Sequence, residues 1–339
     1  MPGLSEAAIP LAAFPPAALA AESLLRTPVF MTERANQRIA YFNGAFVPES
    51  EVKVSFRDRG FRYGDGVFDT TRSFAHRIFR LDAHIERLYR SLGYLGIDPG
   101  LSPAQMRAIT EQVFERNRHL LDRDEDYWIS QRISRGIDAA AGEPPSREGA
   151  TVIIECSPLP LKARASLFRD GIRMRTSSIR RTPPQSLSPR AKMNNYLNLV
   201  LADREVKGND PEAWVLLLDV HGNVAEGLSS NFFIVREGRV LTPGARFVLG
   251  GISRDTVIGL AREEGIPIEE TDIDPYDVYV AQEAFVTSTS LAICPVASVN
   301  GRTIGTQLPG PLTKRLTDAY IRLVGFDFVA QYLRRLDAR

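Results

Sequence analysis

A primary amine set beside amides and a phenol is the part of this sequence best suited to covalent chemistry. The chain avoids lysine: only Lys53, Lys162, Lys192, Lys207 and Lys314 occur, and arginine supplies nearly all the positive charge. A lysine amine that loses its proton is both a nucleophile toward carbonyl carbon and a base. Lys53 lies in a polar β-like segment, Lys162 beside prolines, Lys207 before Gly208 and Lys314 near a helix start. A solvated surface position accounts for each of these four. Lys192 precedes Met193-Asn194-Asn195-Tyr196-Leu197, where a helix begins. Alone it too reads as a surface lysine, so its case depends on company.

Four segments supply that company, each with a plain structural alternative. Leu249-Gly250-Gly251-Ile252-Ser253-Arg254-Asp255 leads a glycine pair into an amphipathic helix, whose first free N–H groups suit an anion. The alternative is a Ser-capped helix after a turn. Val286-Thr287-Ser288-Thr289-Ser290 ends a strand in hydroxyls that can donate to phosphate oxygens, although such residues are common in turns. Arg87, in His84-Ile85-Glu86-Arg87-Leu88, can bind an anion or form a surface ion pair along its helix. Glu226 stands beside Gly227 between apolar strand segments, where a carboxylate is expensive without a partner. A protonated ring nitrogen would be such a partner, and a turn glutamate facing water is the alternative.

Two α+β units can position these residues. Asn43-Gly44 between apolar runs predicts a hairpin over Ile39–Val47. A second strand pair is expected over Gly66–Leu81, turning near Ala75-His76. Asp82 can cap a helix with the stripe Ile85, Leu88, Leu92 and Leu95, and Ser102 can start another, with Met106, Ile109 and Val113 inward. Strands follow at Tyr127–Ser134 and Thr151–Cys156. Ser157-Pro158-Leu159-Pro160 reads as a linker, because proline resists helix and sheet alike. Beyond it come strands at Ile172–Ser177, Trp214–Asp219, Asn231–Val235 and Ala284–Thr287, and helices near Asn195–Lys207, Arg254–Glu264 and Pro311–Leu323. The expected division is a poorly ordered extension 1–35, a small domain 36–157, a linker 158–168 and a larger domain 169–339.

Composition narrows the partners. The 339 residues are 44% hydrophobic and 24% charged with a net charge of +1, so no field of one sign draws in nucleic acid or a membrane. Small molecules are the expected partners. Two cysteines, Cys156 and Cys294, are too few for a disulfide framework and read as reduced core thiols of a cytoplasmic protein. The four histidines lie at no metal-ligand spacing, so no metal is expected. The Ala- and Pro-rich start lacks the pattern of a secretory signal.

Taken together, the segments resemble the class IV aminotransferase family, the group of branched-chain-amino-acid and D-amino-acid aminotransferases and aminodeoxychorismate lyase. The likeness runs from about Tyr41 to beyond Leu316. Tyr63-Gly64-Asp65-Gly66-Val67-Phe68 and Phe79-Arg80-Leu81-Asp82-Ala83-His84-Ile85-Glu86-Arg87-Leu88 look like its first two motifs. Lys192, Glu226-Gly227 through Asn231-Phe232-Phe233, Gly250-Gly251-Ile252-Ser253-Arg254, Thr287-Ser288-Thr289 and Gly310-Pro311-Leu312-Thr313-Lys314 follow in family order. One match is weak, and seven in order are strong.

The resemblance implies a two-domain type IV fold, mixed α+β and α/β: a small α+β domain, a larger domain with a pseudo-barrel, pyridoxal 5'-phosphate between them, and a homodimer. Lys192 would carry the cofactor and shuttle the substrate proton. Glu226 would keep the pyridine nitrogen protonated. Arg87, Thr289, Ser288 and the backbone N–H groups of Ile252 and Ser253 would hold the phosphate, and Tyr196 the ring hydroxyl. The activity implied is transfer of an amino group from an amino acid to a 2-oxo acid.

Substrate choice rests on Tyr63, Phe68 and Arg72, expected at alternating positions along one strand pair and facing one pocket, together with Ser290. Tyr63 and Phe68 resemble the branched-chain enzymes, and Arg72 would receive a carboxylate. Ser134-Arg135-Gly136 is followed by Ile137-Asp138-Ala139, so the Arg and His usual in D-amino-acid aminotransferases are absent. Arg180-Arg181-Thr182-Pro183 is similar to (R)-amine transaminases. A branched-chain-like L-amino acid is the expected donor. The alternatives are a D-amino acid or (R)-amine, the lyase reaction, and a cofactor-binding protein without catalysis.

Overall fold

The computed structural model describes residues 37–144 and 149–336, so the extension expected over 1–35 lies outside the described residues. Asn43 and Gly44 take φ of 45° and 101°. That left-handed pair is what a tight hairpin needs, and it joins β1 (Ile39–Phe42) to β2 (Ala45–Pro48). A short helix, α1 (Arg59–Tyr63), is capped by Asp58 and ends at Gly64 with φ 69°. The second hairpin, β3 (Gly66–Phe74) with β4 (Arg77–Ile78), turns at Ala75 and His76 as expected.

Helix α2 (Leu81–Leu95) buries Ile85, Leu88 and Leu92 of its predicted stripe. Its N-cap is Arg80, not Asp82: Arg80 turns left-handed at φ 49° and starts the helix earlier. Asp82 instead lies in the first turn, where its charge suits the helix dipole. Helix α3 (Pro103–Arg118) begins with the capping box of Ser102 and Gln105. With β5 (Tyr127–Ser134) and β6 (Thr151–Pro158), the strands form one sheet in the order β2-β1-β6-β5-β3-β4. Helices α2 and α3 cover it, α2 against β3 and α3 against β6.

The linker expected over 158–168 is instead occupied by a helix, α4 (Leu161–Asp170). Pro160 stands just before its first turn, where a missing N–H breaks no helical bond. Leu161, Ala165 and Phe168 form its buried stripe.

The rest of the chain runs β7 (Ile172–Thr176), α5 (Leu197–Asn209), β8 (Trp214–Leu218), β9 (Val224–Gly227), β10 (Asn231–Arg236), β11 (Arg239–Pro243) and α6 (Ile252–Glu263). Then come β12 (Ile268–Thr271), α7 (Pro275–Tyr279), β13 (Glu283–Ser288), β14 (Ala292–Val299), β15 (Arg302–Thr303), α8 (Pro311–Val324) and α9 (Phe328–Leu333). Nine strands pair in the order β12-β11-β10-β13-β14-β7-β8-β9, with β15 on β14. Strand β9 also meets β10 at Glu226↔Asn231. The circuit β10-β13-β14-β7-β8-β9 therefore closes, and this ring is the pseudo-barrel expected. Phe233 and Phe285 stack at 4.8 Å on adjacent strands of the ring.

The Gly310-Pro311-Leu312-Thr313-Lys314 segment has a structural explanation. Glu283, buried at the start of β13, accepts from Leu312 N at 2.9 Å, Thr313 N at 2.7 Å and Thr313 Oγ1 at 2.6 Å. It thereby satisfies the first free donors of α8, while Pro311 needs none. A Cβ on Gly310 would lie 2.2 Å from the Glu283 side chain, so only glycine fits there. Glu283→Gln should destabilise the fold by about 3 kcal/mol, since an amide N–H₂ would then face buried donors. A lowered urea midpoint with an unchanged slope checks this, with exposed Glu269→Gln as the variant that leaves the midpoint in place.

Candidate active site

Lys192 is placed by backbone pairing with β3. Phe68 N donates to Lys192 O at 3.0 Å and Asn194 N to Gly66 O at 2.9 Å, bridging Val67 and Met193. Lys192 N donates to Ser91 Oγ at 3.0 Å, and Ser91 Oγ in turn donates to Arg87 O at 3.0 Å. The lysine backbone is thus tied to both β3 and α2. Its half-buried side chain passes Phe68, whose ring centre is 4.2 Å from Nζ, and reaches Tyr196 OH at 3.2 Å. Phe68 and Tyr196 meet edge to face at 5.3 Å.

Two cavities meet at this amine. The first, with about 740 Å³ of empty space including its mouth, is lined by Arg87, Tyr196, Glu226, Ile252, Ser253, Ser288 and Thr289 besides Lys192. The second, about 910 Å³ on the same measure, shares Lys192, Tyr196, Ser288 and Thr289 and adds Phe68 and Ser290. Every cofactor-binding residue expected from the sequence therefore lines the first cavity.

The first cavity offers donors that can receive an anion. Gly251 caps α6 without a side-chain bond, which leaves the N–H groups of Ile252 and Ser253 for a ligand. Ser253 lies inside the helix, so the Ser-capped alternative does not apply. A Cβ on Gly251 would lie 2.0 Å from Asn231 Oδ1, so the close approach of loop and strand requires glycine. Ser230 Oγ and Thr287 Oγ1 are buried without a partner and line the same cavity. Thr289 Oγ1 donates to Thr70 O at 3.1 Å, and Ser288 Oγ accepts from Leu291 N at 3.2 Å.

Arg87 is buried and forks onto Asp69, with Nε to Oδ2 at 2.8 Å and Nη2 to Oδ1 at 2.7 Å, while Nη1 reaches Gly250 O at 3.0 Å. His84 Nδ1 lies 2.7 Å from the same carboxylate. Burial pushes the Asp69 carboxyl up, but Arg87 and His84 outweigh it and hold it well below the usual carboxylate range. Burial also lowers His84, against the pull of Asp69. Neutral His84 therefore donates Nδ1–H to Asp69 and helps fix Arg87 at the cavity wall.

Glu226, also buried, accepts from Arg181 Nε at 2.8 Å, Leu249 N at 3.0 Å and Asn231 Nδ2 at 3.4 Å. Arg181 as its partner was not anticipated. Arg181 N is bonded to Leu218 O at the end of β8, a pairing between distant segments that no local pattern signals.

Two expected substrate residues lie elsewhere. Tyr63 ends α1 rather than starting a strand, because left-handed Gly64 breaks the alternation before Gly66. It is 52% exposed beside Arg59 and Arg62 and lines neither cavity. Arg72 shares the face of β3 with Phe68 but is 1% exposed. Its Nη1 donates to Ser290 O at 2.7 Å, Nη2 to Gln331 Oε1 at 3.2 Å, and Asp126 lies 3.6 Å away. With its guanidinium so engaged it supports the Ser290 turn and does not receive a substrate carboxylate.

The depressed pKa of Asp69 makes its stabilisation pH-dependent. A carboxylate of this kind stabilises above its unfolded pKa of about 4, and the effect is lost as pH falls toward the folded value. Asp69→Asn, which leaves Arg87 charged and buried, should cost about 3 kcal/mol at pH 7. The difference in melting temperature from the unaltered protein should shrink as pH falls from 5 to 3. A difference independent of pH contradicts this reading.

Residues 66–299 match the family model for amino-transferase class IV. The branched-chain-amino-acid aminotransferase of Pseudomonas aeruginosa is 32% identical over 292 residues, 84% of this chain and 92% of that one. The D-alanine aminotransferase of Bacillus licheniformis is 31% identical over 82% of this chain and 94% of its own. Among solved structures, the Escherichia coli branched-chain amino acid aminotransferase has a TM-score of 0.77 at 30% identity, covering 85% of this chain and 95% of that one. Another branched-chain amino acid aminotransferase, solved with pyridoxamine 5'-phosphate, has a TM-score of 0.75 at 31% identity, covering 85% of this chain and 94% of that one. The chain belongs to the class IV aminotransferases, a family that works with pyridoxal 5'-phosphate.

Proposed function

We propose that this chain takes the amino group of a branched-chain-like L-amino acid and passes it to a 2-oxo acid, with Lys192 carrying the cofactor and moving the proton. The observation that carries the reading is Lys192 Nζ, which stands where an anion-binding cavity meets a second cavity walled by Phe68 and Trp128. Pyridoxal 5'-phosphate fits the first cavity: its phosphate has the open N-terminus of α6 and Arg87, and Ser230 and Thr287 offer unpaired hydroxyls. When bound, the cofactor supplies an electron sink for the pair left behind by the α-proton.

The chain's own residues then have distinct tasks. Arg87, the N–H groups of Ile252 and Ser253, and Ser288 and Thr289 hold the phosphate. Glu226, fixed by Arg181 and Leu249 N, holds a proton at the pyridine nitrogen. Tyr196 steadies Lys192 through its hydroxyl and would bond the ring hydroxyl. The Lys192 amine would take the substrate's α-proton and give it back on the other side of the amino nitrogen, which one positioned base can do. Phe68 shields that amine from water on the substrate side.

The wider reading follows the family. Residues 36–157 and 169–339 serve as small and large domains, and the protein acts as a cytoplasmic homodimer. Phe56 and Phe61, 74% and 75% exposed, are large apolar side chains that a second copy would bury. The free, buried cysteines Cys156 and Cys294 suit a reducing compartment.

A panel of L-amino acids, D-amino acids and (R)-amines against 2-oxoglutarate and pyruvate tests the proposal. L-leucine, L-isoleucine and L-valine should react, and Lys192→Ala should lower kcat by about a thousandfold or more. D-alanine or an (R)-amine as the preferred donor overturns the L-specific reading. Pyruvate released from aminodeoxychorismate without an acceptor identifies the lyase reaction instead.

A further inference from the structure

We infer that Arg164 receives the far carboxylate of a dicarboxylic substrate, an acidic 2-amino acid or its 2-oxo counterpart, and so sets the acidic side of this enzyme's specificity. The inference rests on the transaminase reading above and assigns a residue that lies outside all the motifs of the sequence. Arg164 belongs to α4, whose buried stripe of Leu161, Ala165 and Phe168 turns it toward the second cavity. Its guanidinium carbon lies 5.0 Å from the ring centre of Trp128 and 5.8 Å from that of Trp214. Nη1 is bonded to Ser290 Oγ, and Ser290 O is anchored by Arg72 and Tyr332. The head group is therefore held from three sides.

What it lacks is an acid. Around the site Arg72 has Asp126, Arg87 has Asp69, Arg132 has Glu155 and Arg181 has Glu226. Among the described residues no carboxylate pairs with Arg164, although it too is partly buried. Burial pulls its pKa below the ordinary arginine value, and the nearby charge of Arg72 acts the same way. A guanidinium in this position remains charged, so a ligand carboxylate that pairs with it recovers the desolvation cost. Its remaining N–H groups can take that carboxylate as a planar fork.

Position selects the far carboxylate over the one beside the reacting carbon. Lys192 Nζ has Phe68 and Tyr196 as neighbours, whereas Arg164 has Trp128, Trp214 and Ser290. The two positive groups share the second cavity but no contact partner. A substrate bonded near Lys192 meets Arg164 with its opposite end. The rings of Phe68 and Trp128 accommodate an aliphatic chain, and Arg164 adds recognition for an acidic one.

The holoenzyme, Arg164→Gln and Arg164→Lys are compared for kcat/KM with L-leucine and L-glutamate, and for inhibition by glutarate and by pentanoate. Arg164→Gln should raise the leucine-to-glutamate ratio of kcat/KM about thirtyfold and weaken glutarate relative to pentanoate by a similar factor. Arg164→Lys keeps the charge without the fork and should fall between, which also guards against a misfolded glutamine variant. Ratios that stay within about threefold overturn the assignment, since they mean that Arg164 is structural or holds the carboxylate common to both substrates. If the unaltered protein transaminates neither amino acid, the functional reading fails on its own; direct binding of glutarate against pentanoate to the three proteins then decides the role of Arg164.

Discussion

The chemistry of this protein depends on a short piece of backbone pairing between residues 66–68 and 192–194. It is only one bridge, but it joins the strand that carries Phe68 and Asp69 to the loop that carries Lys192. Gly66 makes it possible, because a Cβ there would lie 2.6 Å from Ile133 O and 2.7 Å from Asn194 Nδ2. Ser91 adds a second attachment, from the lysine's N–H to the helix that holds Arg87. Lys192, the Phe68 ring beside it and Arg87 are thus placed by one small set of hydrogen bonds. A flexible lysine becomes a positioned one without deep burial.

Around that frame the protein handles charge by pairing. Arginine outnumbers lysine heavily in this chain, and its planar fork suits buried pairs better than an ammonium does. Asp69 with Arg87, Glu226 with Arg181 and Asp126 near Arg72 each keep a costly group in place, and each supports a wall of the site. Such pairs contribute little net stability but hold geometry, because removing either partner strands the other. The pairing of Glu226 with Arg181 also keeps its carboxylate turned into the cleft, where Leu249 N fixes the second oxygen. Electrostatics and positioning are here the same interaction.

Much of this was legible in the sequence, for local reasons. The Asn43-Gly44 turn, the α2 stripe and the Ser102 cap depend on neighbours within one turn, and the structure has all three. Lys192, Arg87, Glu226 and Gly251 were found through their order along the chain, and they line one cavity. Tyr63 was misplaced because it ends α1, five residues before Phe68, an odd step that strand alternation itself puts on the opposite face, and Arg72 because strand periodicity gives a face but not a depth. Helix α4 was hidden by two prolines that in fact stand outside it. The short strand β12 exists through parallel pairing with β11, on the far side of α6 in the chain, so its few residues carry no signal of their own. Arg164 and Arg181 belong to the same class, since their roles follow from what the fold brings beside them.

The central claim, that β3 and α2 hold Lys192 as the cofactor's anchor, is tested most directly by borohydride reduction of the holoenzyme followed by peptide mass mapping. The pyridoxyl phosphate mass is expected on the peptide containing Lys192 and on no other. Label on Lys53, Lys162, Lys207 or Lys314, or a folded protein that binds the cofactor without any covalent label, would contradict it.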